Sequence, residues 1–268
     1  MDLDGRHVFT VCAGSGEPVL LLHGFPQSAS CWRHQIPALA ESHHVVAPDW
    51  PGFGRSEAPS TPATYDNEVE RIERFVQQLG WQRFNLFAHD YGGFIGLGYA
   101  IRHPERVQRL ALLNTRAHAI FRPWFYRFSL CQHWIAGNPV LSAAAWRAPL
   151  RAIHHRALAR YRFGDDLEAE YLGWMDTPQG RQTFWEFFAH YPVPAIPWLS
   201  EQLGSIRCPT AVIFGDRDPY VPFRTARELA DGIPDATLVH LRGADHYVME
   251  ERPREVTDAL QELLKRDD

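Results

Sequence analysis

The chain has 268 residues, 45% of them hydrophobic and 22% charged, and a formal net charge of −5. That length and apolar content suit one large folded domain, or a core carrying an insertion, and exclude a disordered chain. A mildly acidic balance without a basic run argues against nucleic acid as a partner, and no apolar stretch reaches the roughly 18 residues of a membrane span.

The opening Met1-Asp2-Leu3-Asp4-Gly5-Arg6 lacks the basic and apolar regions of a signal peptide. Cys12, Cys31, Cys131 and Cys208 are scattered, with neither zinc-ligand spacing nor a disulfide framework. A cytoplasmic protein is the expectation. Six short apolar runs then follow in chain order: Val19 to Leu22, His44 to Ala47, Phe84 to Ala88, Arg109 to Leu113, Thr210 to Phe214 and Thr237 to Leu241. Apolar runs without alternation predict strands covered on both faces, as in a parallel sheet.

Between the second and third strands, Val69, Ile72, Phe75, Val76 and Leu79 repeat at helical spacing, with Asp66 or Asn67 as cap and Gly80 as stop. A small-residue helix is expected over Gly92 to Ile101, and a last helix buries Val256, Leu260, Leu263 and Leu264. The alternation of strand and helix gives an α/β fold with a mostly parallel sheet. It breaks between about Thr115 and Ser205, a stretch holding six of the nine tryptophans. The predicted organisation is therefore a core of residues 1–115 and 206–268, with a helical cap at 116–205 over the carboxyl ends of the strands.

Phe87-Ala88-His89-Asp90-Tyr91-Gly92-Gly93 joins a strand to a helix. Small residues two before and two after Asp90 are what a strained elbow requires, and the elbow would thrust Asp90 out at the helix N-terminus. Alone, such an aspartate reads as a helix cap. Three other segments change that reading, each following a strand. His23-Gly24-Phe25-Pro26-Gln27 can aim the Phe25 N–H at the elbow and join the Tyr91 N–H as an oxyanion hole. Phe214-Gly215-Asp216-Arg217-Asp218-Pro219 offers a carboxylate to orient a histidine; Asp218 fits best and Asp216 reads as a turn former. Gly243-Ala244-Asp245-His246-Tyr247 supplies that histidine, His246.

In this order of nucleophile, acid and histidine the chain resembles the α/β-hydrolase superfamily over nearly its whole length. The aspartate elbow is similar to that of the epoxide hydrolases and haloalkane dehalogenases, and Asp49-Trp50-Pro51-Gly52-Phe53-Gly54-Arg55-Ser56 looks like a loop those families carry. The resemblance implies attack by Asp90 on an sp³ carbon to give an alkyl ester. Water activated by His246 then cleaves that ester, with Asp218 orienting the imidazole.

The leaving group separates the branches. Epoxide hydrolases protonate the leaving oxygen from cap tyrosines, usually two; Tyr191 ranks first here, with Tyr126, Tyr161 or Tyr171 open for the other. Haloalkane dehalogenases hold halide with a tryptophan after the nucleophile and a second donor, where this chain has Tyr91 and Phe25 and only a cap indole such as Trp134. Haloacetate dehalogenases share the H-G-F-P-Q turn, and His133, Trp134 and Tyr191 look like their halide-binding trio. The arginines with which they hold a carboxylate are replaced by Tyr91 and Phe94. Epoxide opening is thus the first expectation, haloalkane dehalogenation the second, and a non-catalytic binding protein on the same scaffold the rival. No cofactor and no metal are expected. The expected partners are a small apolar substrate and water, not nucleic acid or membrane, with a homodimer left open.

Overall fold

The computed structural model describes residues 1–118, 165–191 and 196–267. A small antiparallel pair, β1 (Asp2–Leu3) and β2 (Arg6–His7), precedes the main sheet. The sheet holds β3 (Thr10–Ala13), β4 (Glu17–Leu22), β5 (His43–Pro48), β6 (Phe84–His89), β7 (Val107–Leu113), β8 (Thr210–Gly215) and β9 (Ala236–Leu241), in the spatial order β3-β5-β4-β6-β7-β8-β9. All neighbours are parallel except β3, which runs antiparallel to β5. The six predicted strands are the six parallel ones. β3 escapes sequence reading because it is a four-residue edge strand, largely half-exposed.

Period-two burial explains those continuous apolar runs. Leu20, Leu22, Leu86, Ala88, Leu110 and Leu112 enter one core, while Val19, Leu21, Phe87, Ala111, Leu113 and Ile213 enter the other. On the first side lie α2 (Tyr65–Gln78), which buries Val69, Ile72, Phe75 and Val76, and α3 (Asp90–Arg102). The first of the sequence's helices, α1 (Ile36–Leu39), is a single turn. The N-cap of α2 is Thr64, whose hydroxyl accepts from Asn67 N–H at 3.3 Å, rather than Asp66 or Asn67 as the sequence suggested. Gly80 follows the helix end at φ +73°, as expected of a C-terminal glycine.

Because β4 is flanked by β5 on one side and β6 on the other, the chain reverses its direction of travel across the sheet there. The loops leaving β4 and β6 diverge and open a crevice at the strands' carboxyl ends. The insertion lies between the adjacent parallel strands β7 and β8. Its described part comprises α4 (Asp165–Leu172), α5 (Pro178–His190) and α6 (Pro197–Glu201). The α5 helix reaches the crevice: Phe187 stacks on Phe25 at 5.1 Å, and the Trp174 indole before it donates to Pro26 O at 3.3 Å. Beyond β8 come α7 (Arg224–Gly232), α8 (Val248–Glu251) and α9 (Pro253–Leu264). Val256, Leu260 and Leu263 of α9 are buried as predicted, whereas Leu264 is half-buried. Among the described residues no helix is long and apolar enough to cross a membrane.

Candidate active site

Asp90 sits at the junction of β6 and α3 with φ +47°, a left-handed conformation that costs an L-residue free energy and is held only by its surroundings. The surroundings are glycines and one threonine. A Cβ on Gly92 would lie 2.5 Å from His23 O, and one on Gly24 would lie 2.5 Å from Asp90 Cβ. Gly92 N–H instead donates to His23 O at 3.1 Å, and Thr115 Oγ1 donates to Asp90 O at 2.7 Å. The close approach between the β4 and β6 loops thus requires both glycines.

The three predicted residues come together. His246 Nε2 lies 3.4 Å from Asp90 Oδ2, and His246 Nδ1 donates to Asp218 Oδ2 at 2.6 Å. Phe25 N–H donates to Asp90 Oδ1 at 3.0 Å. The amide of Tyr91, in the first turn of α3, has no acceptor within the helix, as at any helix start. Asp216 does not face His246: it ties the β8 loop to β9 and the turn after it, accepting from Gly243 N–H at 2.7 Å and pairing with His240.

Asp218 is held by four donors. Tyr220 and Val221 N–H reach Oδ1 at 2.7 and 2.9 Å, while His246 and Asn114 Nδ2 reach Oδ2, each at 2.6 Å. Asn114 was missed as a site residue. It sits at φ +40° at the carboxyl end of β7, and Gly215 N–H donates to its Oδ1. That position, a polar residue directly after a parallel strand, is the same signal that marked the other site loops. His89 was also missed: its Nε2 donates to His246 O at 3.0 Å, and its Nδ1 faces Gln27 at 3.0 Å. Burial pushes His89 down to about 3, so the ring is neutral and Nδ1 must accept. The Gln27 amide nitrogen, otherwise buried without a partner, is the group that chemistry places opposite it.

Burial opposes charge on His246, but Asp218, and Asp90 beyond it, outweigh that and push the imidazolium up to about 10. Burial likewise opposes ionisation of Asp90, yet the facing His246 pulls it down to about 2. Both shifts favour a charged pair, the His246 imidazolium facing the Asp90 carboxylate. Nearby, burial keeps His23 neutral; its Nδ1 donates to Gly24 O and its Nε2 accepts Trp50 N–H, both at 2.8 Å. In the Asp49 to Ser56 loop, Asp49 accepts from Ala29 N–H at 2.8 Å and from Arg55 N–H and Nε at 2.9 Å, and Gly54 gives it room.

An aromatic layer covers the site. Phe25 meets Phe53, Phe184, Phe187 and Phe188, all with ring centroids within 6.1 Å, and Tyr91 meets Phe187 at 4.8 Å. Tyr191, at the end of α5, lies 6.2 Å from Tyr91 and 6.1 Å from Phe94. Its hydroxyl accepts from Arg116 Nε at 3.3 Å, an arginine just past β7 that sequence reading passed over. Tyr171 is not at the site: its hydroxyl donates to Glu250 in the opposite core. The Trp174 N–H is given to Tyr171 O at 2.9 Å and Pro26 O. His133, Trp134, Tyr126 and Tyr161 lie outside the described residues. A cavity of about 340 Å³ opens behind Tyr91, Phe53 and Phe187, toward Glu68, but Asp90 does not line it.

The sequence matches the alpha/beta hydrolase fold family over residues 17–253. The chain belongs to that family. This α/β hydrolase is 27% identical to a cis-3-alkyl-4-alkyloxetan-2-one decarboxylase of Xanthomonas campestris, over 94% of its own length and 89% of the relative's. It is 44% identical to a haloalkane dehalogenase of Psychrobacter cryohalolentis over 102 residues, 37% of this chain and 34% of that one. Its fold superposes on an epoxide hydrolase of Bacillus megaterium with TM-score 0.81 and 25% identity, over 99% of each chain.

Proposed function

We propose that this hydrolase opens a strained oxygen ring, an epoxide on an apolar body, through an ester on Asp90. Asp90, His246, Asp218 and the Phe25 and Tyr91 amides are the machinery of that reading, and residues 116–205 are its cap. The observation that carries it is the carboxylate at the elbow, fixed by Phe25 N–H at 3.0 Å and facing His246 Nε2 at 3.4 Å. A carboxylate is an anion already and attacks an sp³ carbon without a base. Oδ1, held by the amide, becomes the ester carbonyl, and Oδ2 forms the new C–O bond while the ring C–O bond breaks. The ring oxygen takes its proton from Tyr191.

Esterification removes one of the two anions that keep His246 protonated. The imidazolium then releases a proton, which returns to Tyr191, and the neutral ring serves as base for water attacking the ester carbonyl. The charge that develops on Oδ1 falls toward Phe25 and Tyr91, where one such donor is worth about 3 kcal/mol. Displacement of halide has less support, since Tyr91 and Phe25 stand where the haloalkane dehalogenases that the sequence resembles carry their halide donors. A four-membered cyclic ester is the second reading, favoured by the full-length likeness to an oxetan-2-one decarboxylase. Attack at its sp³ carbon releases a carboxylate, which needs no proton.

The test is the intact mass of His246→Gln after exposure, separately, to terminal epoxides, alkyl oxetan-2-ones and bromoalkanes. A gain of the whole epoxide, abolished by Asp90→Asn, is expected. A gain only from the lactone or only of the alkyl group moves the assignment to those substrates. Binding without any mass gain refutes the covalent reading and favours a binding protein.

A further inference from the structure

The geometry points to Arg116 as the positioning residue that arms Tyr191, and we propose that the pair, rather than a tyrosine alone, delivers the proton to the leaving oxygen. The proposal rests on the function given above. Arg116 is 5% exposed and follows Asn114 and Thr115, which bond Asp218 and the Asp90 backbone respectively, so its backbone is anchored within two residues of the site. Its guanidinium lies 4.4 Å from the centroid of Phe94, one helical turn after Asp90, and 5.4 Å from that of Tyr191. Nε points at Tyr191 Oη at 3.3 Å, and Nη1 reaches His118 O at 3.5 Å.

A guanidinium donates and never accepts, so its bond to Tyr191 Oη uses an oxygen lone pair and orients the O–H away from the arginine. When that O–H passes its proton to the alkoxide, the negative charge left on Oη of the half-buried Tyr191 lies against the buried Arg116 cation, a charge-assisted bond stronger than a neutral one. Among the described residues Tyr91 is a second phenol ring beside Tyr191, and burial pushes its pKa up and keeps it neutral, so it adds no competing charge. The step balances: the Asp90–carbon bond forms, the carbon–oxygen ring bond breaks, the ring oxygen gains the Tyr191 proton, and Arg116 holds the phenolate until His246 returns a proton.

Two measurements on the full-length protein test this. In the first, ¹³Cζ-tyrosine spectra, with the Tyr191 signal assigned by Tyr191→Phe, follow its ionisation. Arg116→Gln should raise the midpoint by about one pH unit or more, and Arg116→Lys should return part of the shift. In the second, the rate of epoxide-adduct formation is followed in the His246→Gln background. Adding Arg116→Gln should slow it about tenfold to a hundredfold, with Arg116→Lys in between. An unmoved midpoint, or an adduct rate unchanged by Arg116→Gln, overturns the Arg116 role while leaving the Asp90 chemistry standing. No epoxide adduct in His246→Gln itself overturns the function and the role together.

Discussion

Asp218→Asn changes one atom type at a position where all the hydrogen-bonding capacity is used. Four donors converge on the carboxylate: two amides on Oδ1, and His246 Nδ1 with Asn114 Nδ2 on Oδ2. An amide can satisfy one side only. Its oxygen stays with the Tyr220 and Val221 amides, and its NH₂ then meets His246 and Asn114, two donors. Losing two charge-assisted bonds costs about 3–6 kcal/mol before relaxation. His246 recovers part of this by turning Nδ1 into an acceptor, which leaves the proton on Nε2, facing Asp90. A ring in that tautomer cannot take a proton from water. Attack by Asp90 needs no base, so the ester should still form, and its hydrolysis should fall about 10³- to 10⁴-fold. Nitrogen-15 spectra at neutral pH should show the wild-type imidazolium replaced by a neutral Nε2–H ring, alongside single-turnover decay of the ester. Ester decay within tenfold of wild type, or a His246 that keeps its Nδ1 proton, would refute this account of Asp218.

Three further outcomes follow from the packing and the charges. Gly24→Ala drives a methyl to 2.5 Å from Asp90 Cβ and 2.8 Å from His89 Nδ1, so ester formation should drop by at least about a hundredfold while circular dichroism stays native. Arg71→Met leaves Glu68 buried beside Trp50 without its cation; both members of the pair are 1% exposed, and chemical denaturation should show a loss of about 3–5 kcal/mol. His246, raised to about 10 from an ordinary 6.5, contributes stability that is complete below pH 6.5 and lost as pH climbs through 10. The melting temperature should therefore fall more steeply between pH 7 and 10 in the wild type than in His246→Gln, and parallel curves would contradict the assigned charge.

The parallel strands were legible because burial on both faces writes an unbroken apolar run, and Asp90, Phe25, Asp218 and His246 were legible because each follows such a run at a turn. Asn114 carries that signature, directly after β7, and was still passed over; the rest of what sequence reading missed lacks it. β3 is too short and exposed to carry a pattern, and Thr64 outcompetes Asp66 as a cap only once the helix start is fixed in space. Asn114, His89 and Gln27 act through partners more than 60 residues away, a relation that spacing along the chain cannot express. Tyr191 ranked first from the sequence and Tyr171, in the same aromatic-rich insertion, was left open as its companion. The fold turns Tyr171 toward Glu250 and Tyr191 toward Tyr91, which removes Tyr171 from the candidates.

Phe25 has two ends with different employers. Its amide grips the Asp90 carboxylate, and its ring is clamped among Phe184, Phe187 and Phe188 of the roof. In the proposed function, the packing of that aromatic layer and the grip on the attacking carboxylate are therefore mechanically geared to one another. Carving the roof to admit bulkier molecules, as by Phe187→Ala, will slacken the donor beneath it, so turnover of small molecules that never touch the new space will suffer as well. A lineage adapting this scaffold to larger substrates would have to retune the β4 turn in step with the lid, and the two regions should be engineered as one.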